Sequence, residues 1–234
     1  MCGRYVSSTQ AEMERYWELT EAQIGSPLAQ RFNVSPKMTV PIIYRTTENL
    51  HLVPARWGLV PFWWKEAEPP KRTFNVRSED AATKAMWRHT ASNLRCLVPA
   101  MGWYEWKEVE RTDPSTGEVK RQPYFIQRTD REPIAFAGMM SRRNQNDDTS
   151  EFTCTILTRD AVGAASAIHA RMPIALSKDA EAAWLDLGIT DAAVAVGFAR
   201  NHALTDFTPD PVNPRASNAK NEGEEPIELF ENPA

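Results

Sequence analysis

The stretch Leu94-Arg95-Cys96-Leu97-Val98-Pro99-Ala100-Met101-Gly102-Trp103-Tyr104-Glu105-Trp106-Lys107 contains two runs of apolar and aromatic residues that are separated by a proline and a glycine. This pattern predicts two β-strands, over residues 94–98 and 102–107. Because side chains alternate between the faces of a strand, Glu105 is expected on the same face as Trp103. If that face is buried, desolvation raises the pKa of the carboxyl group, which makes Glu105 a candidate general acid near neutral pH. A surface glutamate flanked by core aromatics is the alternative.

Similar runs on both sides of this stretch predict further strands. They cover residues 39–44, 52–57, 123–127, 134–139 and 152–158, with 172–176 extended and the polar residues 108–121 forming a hairpin loop. Only a few helices interrupt these strands, and strand and helix do not alternate regularly. The sequence therefore predicts an α+β domain built on a curved antiparallel or mixed sheet, and not a doubly wound fold.

The predicted helices are short. Thr9 and Glu12 form a capping-box pattern that opens a helix with Met13, Tyr16 and Trp17 on its buried face. Other helices are predicted from Ser78 to about residue 87, from Asp160 to about residue 168, and after the caps Ser177 and Thr190. The last 30 residues, which include several prolines and seven acidic residues, have the composition of a disordered tail.

Length and composition favour one soluble domain, predicted over residues 2–234. The chain has 234 residues, of which 42% are hydrophobic, and no apolar run approaches the ~20 residues of a membrane span. Three cysteines without a framework spacing, and the lack of a charged-then-apolar leader, favour a reducing cytoplasmic setting. Four scattered histidines without CxxC or HExxH patterns lead us to expect no metal and no other cofactor.

The charge is unevenly distributed along the chain. The net charge of −4 argues against a general duplex-DNA binder with a strongly basic surface. However, residues 1–100 carry 13 Lys and Arg against 9 Asp and Glu, whereas residues 101–234 carry 14 against 22. Arginine supplies 19 of the 27 basic residues, and its planar guanidinium suits phosphate contacts. The amino-terminal half is therefore a candidate for binding an anion, with ordinary surface salt bridges as the alternative.

Cys2 becomes the N-terminal residue if Met1 is removed, and it then carries a free α-amine and a thiol on one carbon skeleton. Such an aminothiol condenses with aldehydes, because the amine forms a Schiff base and the thiol can close a five-membered thiazolidine. Ordinary pKa values of ~8 for an α-amine and ~8.5 for a thiol leave both groups partly nucleophilic near neutrality. An arbitrary second residue is the alternative interpretation of Cys2.

Other candidate polar side chains lie in two segments. Asn75 and Arg77 point the same way if their segment is extended, although a turn and a solvated charge would explain them equally well. His169 follows a predicted helix and precedes an extended segment, a common position for an acid–base group. A single histidine at such a junction is still more often structural.

Three of the eight tryptophans fall within residues 57–64, a segment that also contains Gly58 and Pro61. Aromatic side chains in a constrained loop can stack on nucleic-acid bases, at roughly 1–3 kcal/mol per base. Trp63 and Trp64 are the candidates for this role, and Trp57 is a candidate core residue.

Several short motifs follow one another in a fixed order along the chain. They are Met1-Cys2-Gly3-Arg4, Arg31-Phe32-Asn33-Val34-Ser35-Pro36, Trp57-Gly58-Leu59-Val60-Pro61, Asn75-Val76-Arg77-Ser78-Glu79, Arg95-Cys96-Leu97-Val98-Pro99-Ala100, Gly102-Trp103-Tyr104-Glu105-Trp106 and Ile168-His169-Ala170-Arg171-Met172-Pro173. Together they resemble the SRAP (SOS response-associated peptidase) domain family, whose members shield abasic sites in single-stranded DNA. The resemblance extends to Asn218-Ala219-Lys220-Asn221 and implies a distorted β-barrel with flanking helices and an ordered C-terminal segment.

The resemblance implies a role for each matching residue. Cys2 would attack C1′ of the ring-opened abasic deoxyribose and end as a thiazolidine crosslink, while Asn75 orients its amine and the sugar. Glu105 would be the acid–base group for ring opening and Schiff-base formation, and His169 a second acid–base group that acts on the sugar and in reversal of the crosslink. The implied DNA-binding residues are Gly3, Arg4, Trp63, Trp64, Arg77, Ser78, Arg171 and Met172, with the arginines on phosphates and a tryptophan stacked near the lesion. An imine at C1′ also acidifies C2′, so strand cleavage by β-elimination is a further implied activity.

Two positions depart from the family pattern. Ala170 and Met101 each stand where an aspartate is common. Ala170 removes a carboxylate that could pair with His169 or Arg171.

Two other classes of function are compatible with these residues. In one, Cys2 is the nucleophile of an N-terminal-nucleophile amidohydrolase or autoprocessing peptidase that forms a thioester. In the other, the protein binds single strands without catalysis, and Cys2 is incidental. The expected partner is single-stranded DNA with abasic sites, and the expected state is a cytoplasmic monomer that joins the nucleoid when bound to DNA.

Overall fold

The computed structural model describes residues 2–26, 28–66, 69–112, 119–142 and 151–230. Its strands are β1 (Tyr5–Val6), β2 (Thr39–Arg45), β3 (Leu50–Trp57), β4 (Asn75–Arg77), β5 (Arg95–Ala100), β6 (Gly102–Thr112), β7 (Val119–Arg128), β8 (Ile134–Arg142), β9 (Phe152–Asp160), β10 (Arg171–Pro173), β11 (Ala175–Leu176) and β12 (Phe207–Pro211). Its α-helices are α1 (Gln10–Trp17), α2 (Ser78–Ala81), α3 (Ala85–Asn93), α4 (Lys178–Trp184) and α5 (Ala192–Asn201). Short 3₁₀ helices lie at Glu21–Gln23, Gly163–Ala167, Pro214–Ser217 and Glu225–Ile227.

The smaller sheet, in the order β1-β6-β7-β12, places the start of the chain beside the aromatic strand β6. β1 is antiparallel to β6, with Tyr5 opposite Trp103. On its other side β6 pairs with β7, and Gly102 permits this close approach, because a Cβ atom there would lie 2.5 Å from the carbonyl oxygen of Ile126 and 2.6 Å from the ring of Phe125.

The larger sheet is ring-like. Its pairings run from β9 through β3, β2, β5 and β8, and β8 pairs again with β9. The ring is incompletely closed, since the β2–β5 and β3–β9 links each consist of two residue pairs. β4 and β10 also pair with β9, and β11 pairs with β8. The predicted α+β class, with curved mixed sheets and short flanking helices, is confirmed.

The core divides at β6, whose side chains alternate between two apolar clusters. Trp103 packs in the same cluster as Cys2 and Trp57, whereas Tyr104 packs with Phe125 on the other face. Because the face that carries Trp103 is buried, Glu105 is drawn into the interior with it.

The first helix agrees with its sequence pattern. Thr9 and Glu12 form the predicted capping box at the start of α1. Met13 and Trp17 are buried, and Tyr16 is half-buried against the same cluster. The strand predictions over β2, β3, β5, β8 and β9 are also confirmed, and the strands β6 and β7 extend into the predicted hairpin loop.

Other helix predictions were wrong in detail. The helix expected from Ser78 to about residue 87 is split into α2 and α3, because Lys84 is extended between them. Ser78 is the first helical residue and not the cap, which falls at Arg77. The cap of α5 is Asp191 and not Thr190, since its carboxylate accepts hydrogen bonds from the amides of the following turn.

The helix expected from Asp160 is a 3₁₀ turn. Asp160 still belongs to β9, and Gly163 has φ +57°, which a right-handed α-helix cannot accommodate. A Cβ atom on Gly163 would lie 2.9 Å from the carbonyl oxygen of Thr205. The close approach to Thr205 therefore determines the backbone conformation at Gly163, and the helix propensity of the small residues does not.

The described part of the C-terminal segment packs onto the domain. β12 pairs with β7, and Val212 and Ala216 are buried. The composition alone predicted disorder, whereas the family resemblance predicted this packed segment. None of the helices in the described ranges combines the length and apolar character that a membrane span needs.

Candidate active site

Cys2 reaches the interior through the pairing of β1 with β6. The amide of Tyr104 donates to the carbonyl oxygen of Arg4 at 3.0 Å, so the antiparallel contact continues beyond Tyr5 toward the start of the chain. Cys2 is 0% exposed, and its thiol donates a weak hydrogen bond to the carbonyl oxygen of Arg4 at 3.8 Å. The sulfur is thus held in an apolar setting at the end of the aromatic strand.

The carboxyl group of Glu105 influences the pKa of this thiol. It is 4% exposed, and its Oε1 has no hydrogen-bond partner among the described residues. Burial raises the pKa of Glu105 to about 7. Burial also raises the pKa of the Cys2 thiol well above its usual range, and the negative charge of Glu105 raises it further. The predicted buried face is therefore confirmed, and Glu105 can hold or release a proton near neutral pH.

Asn75 fixes the backbone of Cys2. It lies in β4, opposite Ile156 of β9, and its Nδ2 donates to the carbonyl oxygen of Cys2 at 2.5 Å. Its Oδ1 is buried without a partner in the described part of the chain. The amide therefore anchors Cys2 with one end and leaves an acceptor for a ligand at the other.

We expect Asn75→Ala to lower the free energy of unfolding by ~1–3 kcal/mol, because it leaves the buried carbonyl oxygen of Cys2 without a donor. Urea unfolding measures this loss. Asn93→Ala is the control, since Asn93 donates to the carbonyl oxygen of His89 at an exposed position and its loss should change little. Equal effects of the two substitutions would contradict the anchoring role.

His169 is held through one ring nitrogen by the backbone of Arg171. The amide of Arg171 donates to Nδ1 at 3.0 Å, and the carbonyl oxygen of Arg171 lies 3.1 Å from the same atom. Nδ1 can thus accept from the amide when the ring is neutral, or donate to the carbonyl when it is protonated. Burial lowers the pKa of His169, which favours the neutral ring at pH 7.

Arg4 and Arg77 occupy different surroundings. Arg4 is half-buried, and its Nη1 donates to Oδ1 of Asn33 at 2.8 Å and to the carbonyl oxygen of Ala216 at 3.2 Å. Its guanidinium also lies over the ring of Trp106, 5.8 Å from the centroid. Arg77 is exposed and has no side-chain partner among the residues that the structure describes. Arg77 is therefore the more available cation for a phosphate.

Arg171 is engaged by two carboxylates of the chain itself. Its guanidinium donates to Glu79 at 3.0 and 3.2 Å and to Asp160 at 2.6 Å. It also donates to the carbonyl oxygen of Thr158 at 2.8 Å. Glu79 and Asp160 thus provide carboxylate partners for Arg171, although position 170, where an aspartate is common in the family, is an alanine. A guanidinium held in this way braces β10 against β9 and α2, and little of its charge is left for a phosphate.

We expect Arg171→Gln and Arg77→Gln to separate these two roles. Arg171→Gln should lower the free energy of unfolding by ~1–3 kcal/mol, as hydrogen bonds to charged groups are lost. Arg77→Gln should change it by less than about 0.5 kcal/mol but weaken binding to a single-stranded oligonucleotide. Urea unfolding and fluorescence anisotropy measure the two effects. The opposite pattern would place the phosphate contact at Arg171.

The remaining predicted DNA-binding residues are only partly on the surface. Met172 is 1% exposed and packs in the cluster of Cys2 and Trp103, so its side chain belongs to the core and does not reach the surface. Ser78 is also buried, whereas Gly3 is half-buried. Trp63 is 46% exposed. The ring centroid of the half-buried Trp64 is 6.0 Å from that of Trp63.

Sequence reasoning assigned no role to Asn33. In the structure, its side chain connects Arg4 to the C-terminal segment. Besides accepting from Arg4, the Asn33 amide donates to the carbonyl oxygens of Asn218 and Asn221, each at 3.0 Å. The only signal was its place within the motif 31–36. The exposed Phe62 beside Trp63 was likewise not singled out. In the described ranges, no group of three or more His, Cys, Asp and Glu side chains could hold a metal ion.

Comparison with known proteins decides the family. The SOS response associated peptidase (SRAP) family matches residues 1–219. This chain belongs to the SRAP family. The abasic site processing protein YedK of Escherichia coli K12 is 32% identical over 97% of this chain and 99% of the relative. The abasic site processing protein YoqW of Bacillus subtilis is 28% identical over the same shares.

The SRAP fold is also seen in solved structures. A crystal structure of a protein from Bacteroides thetaiotaomicron matches with a TM-score of 0.72 at 21% identity, covering 92% of this chain and 93% of that one. At this identity the likeness concerns the fold alone. It agrees with the ring-like sheet and the short flanking helices.

Proposed function

We propose that this SRAP protein processes abasic sites in single-stranded DNA by a covalent reaction of Cys2 with the ring-opened deoxyribose. The observation that carries the proposal is the buried group of Cys2, Glu105 and Asn75, in which the thiol lies within the electrostatic influence of a carboxyl group of pKa about 7. The names of the relatives YedK and YoqW support the choice of abasic DNA as the substrate.

The first chemical step joins the amine to the aldehyde. Once Met1 has been removed, the α-amine of Cys2 attacks C1′ of the open sugar, and the resulting carbinolamine loses one water to give an imine. Protonated Glu105 can supply the proton that the departing hydroxyl group needs. The Asn75 amide fixes the Cys2 carbonyl, and so limits the directions in which the adjacent amine can point.

The second step closes the ring. The Cys2 sulfur forms a bond to C1′, the C=N π electrons move to the nitrogen, and the thiol proton ends on that nitrogen. No oxidant or reductant is needed, and the net change over both steps is the loss of one water. Because burial keeps the thiol neutral, a base must accept the thiol proton transiently before the proton reaches the nitrogen. Ionised Glu105 is suited to this role.

His169 is proposed as the second acid–base group. Its two-way contact with the Arg171 backbone allows the ring to change protonation without losing its anchor. In this position it can assist the opening of the sugar and the reversal of the crosslink. An imine that escapes ring closure has an acidified C2′, so β-elimination and strand cleavage are proposed as a side activity.

The strand itself is proposed to lie along exposed cations and aromatics. Arg77 offers an exposed guanidinium, and Trp63 offers an exposed ring on which a base can stack. Arg4 is proposed to contact a phosphate from its place between Asn33 and Trp106.

A denaturing gel tests the proposal and separates it from the two other classes of function. We expect protein with a free Cys2 amine to give a shifted band with an oligonucleotide that carries one abasic site, and none with the intact oligonucleotide. An adduct that hydroxylamine cleaves would indicate a thioester and the amidohydrolase mechanism. Equal binding to both strands in fluorescence anisotropy, without any covalent product on the gel, would indicate a passive single-strand binder.

A further inference from the structure

A cleft of about 500 Å³ lies next to the proposed active site, and its rim is basic. It is formed by the turn before β2, the end of β3 and the segment that leads into β4. Lys37, Arg56, Lys71 and Arg72 line it, together with Phe74 and prolines, and no carboxylate belongs to its described lining. The size is within the range of pockets that hold small ligands, about 300–1,000 Å³.

These four cations share the lack of a counter-charge. None of them forms an ion pair with a residue in the described ranges. Elsewhere on the protein, carboxylates pair with Arg15, Arg31, Arg121, Arg128, Arg131, Arg171 and Arg215. Since the whole chain has a net charge of −4, the cleft is not simply part of a basic surface. Clustered cations of this kind are instead suited to an anionic ligand.

The backbone of the cleft is unusual at two of these residues. Lys37 has φ +78° and Arg72 has φ +60°, and they are two of the four non-glycine residues with positive φ in the described ranges. Such conformations are uncommon for residues with a Cβ atom and are often retained at ligand clamps. The lysine is held by a hydrogen bond from its amide to the carbonyl oxygen of Trp57 at 2.7 Å.

The cleft is connected directly to the Cys2 site. Phe74 lines the cleft, and the next residue is Asn75, which binds the Cys2 carbonyl. The indole of Trp57, at the floor of the cleft, donates to the carbonyl oxygen of Phe74 at 2.7 Å. The Trp57 ring also packs edge-on against Tyr5, with centroids 5.3 Å apart. The cleft and the Cys2 site are therefore neighbours in the fold, linked through Phe74 and Asn75.

We propose that this cleft is a second nucleic-acid subsite, which binds the phosphodiester backbone of the same single strand next to the abasic nucleotide. The inference rests on the proposed function, because that function supplies the strand. The four cations bind phosphates, and the Phe74 and proline surface accommodates the adjoining sugar or base. The cleft thereby supplies affinity and register for the strand while Cys2 supplies the chemistry.

The salt dependence of strand binding tests this proposal. Lys71→Gln and Arg72→Gln, separately and together, are compared with the parent by anisotropy on an intact single-stranded oligonucleotide over a range of salt concentrations. Each lost phosphate contact should reduce the slope of log K against log salt by about 0.7, and the double variant should reduce it by about 1.4. Arg45→Gln is the matched control, because Arg45 is exposed and unpaired among the described residues but lies at the far end of β2, roughly 20 Å along the strand.

Failure of this proposal and failure of the proposed function give different results. The slopes are measured on intact strand, so they do not depend on Cys2 chemistry, and crosslink yield at saturating abasic strand is measured separately. We expect that yield to equal the parent's in Arg45→Gln, which lies outside the cleft. Slopes that match the Arg45→Gln control would overturn the proposal. If, in addition, inorganic phosphate at constant ionic strength bound the parent but not Arg72→Gln, the cleft would be a site for free phosphate instead of the strand.

Discussion

Cys2→Ala is expected to abolish the heat-stable crosslink to an abasic oligonucleotide and to leave strand affinity nearly unchanged. The alanine variant retains an N-terminal amine, so it can still form an imine, but it has no sulfur to close the ring. The imine hydrolyses during denaturation, and the shifted band is lost. Sodium borohydride added before denaturation should restore a band, because it reduces the imine to a stable amine.

The borohydride lane is the internal control for this experiment. It shows that the variant is folded, that Met1 has been removed and that the sugar still reaches the amine. A Cys2→Ala variant that crosslinks within about twofold of the parent without reductant would contradict the role of the sulfur. Because Cys2 is fully buried, urea unfolding should accompany the gel, so that a folding defect is recognised as such.

Glu105→Gln is expected to slow crosslink formation by about 10²-fold or more while strand affinity is kept, since general acid–base catalysis typically contributes 10²–10⁴-fold. The parent needs protonated Glu105 for loss of the hydroxyl group, so its rate should fall as the pH rises above about 7, where Glu105 ionises. The glutamine variant should lack this alkaline decline. Single-turnover rates between pH 5.5 and 9 measure both effects.

The same substitution has an expected effect on stability. The pKa of Glu105 is raised in the folded protein, so the group favours folding most at acidic pH, below its ordinary pKa. That contribution is lost as the pH rises toward about 7. Glu105→Gln should therefore be at least as stable as the parent above pH 7, although it is the slower catalyst. A variant that lost stability and affinity but kept the rate would show Glu105 to be structural.

Strand periodicity was sufficient to predict the surroundings of Glu105. Alternation along 102–107 placed it with Trp103, and both side chains are buried on one face of β6. The raised pKa followed from that burial without any knowledge of the tertiary contacts. The capping box at Thr9 was equally predictable, since all of its groups lie within four residues.

Contacts between distant parts of the chain could not be predicted in this way. Nothing in the sequence around Arg171 shows that Glu79, 92 residues away, would occupy its guanidinium. The burial of Met172 likewise depends on the packing of β10 against β9. The cleft beside Asn75 is assembled from three separate segments, so its cations were visible in the sequence only as an excess of basic residues in the first 100 positions.

Mass spectrometry of the crosslinked product tests the central claim most directly. Protein without Met1 is incubated with abasic single-stranded DNA, digested, and the N-terminal peptide is analysed with and without a thiol-alkylating reagent. We predict a Cys2 peptide whose mass equals peptide plus nucleotide remnant minus one water, formed without reductant and unreactive toward the reagent, because nitrogen and sulfur are both bound to C1′. A product that still alkylates at Cys2, or that is detected only after reduction, would contradict thiazolidine formation.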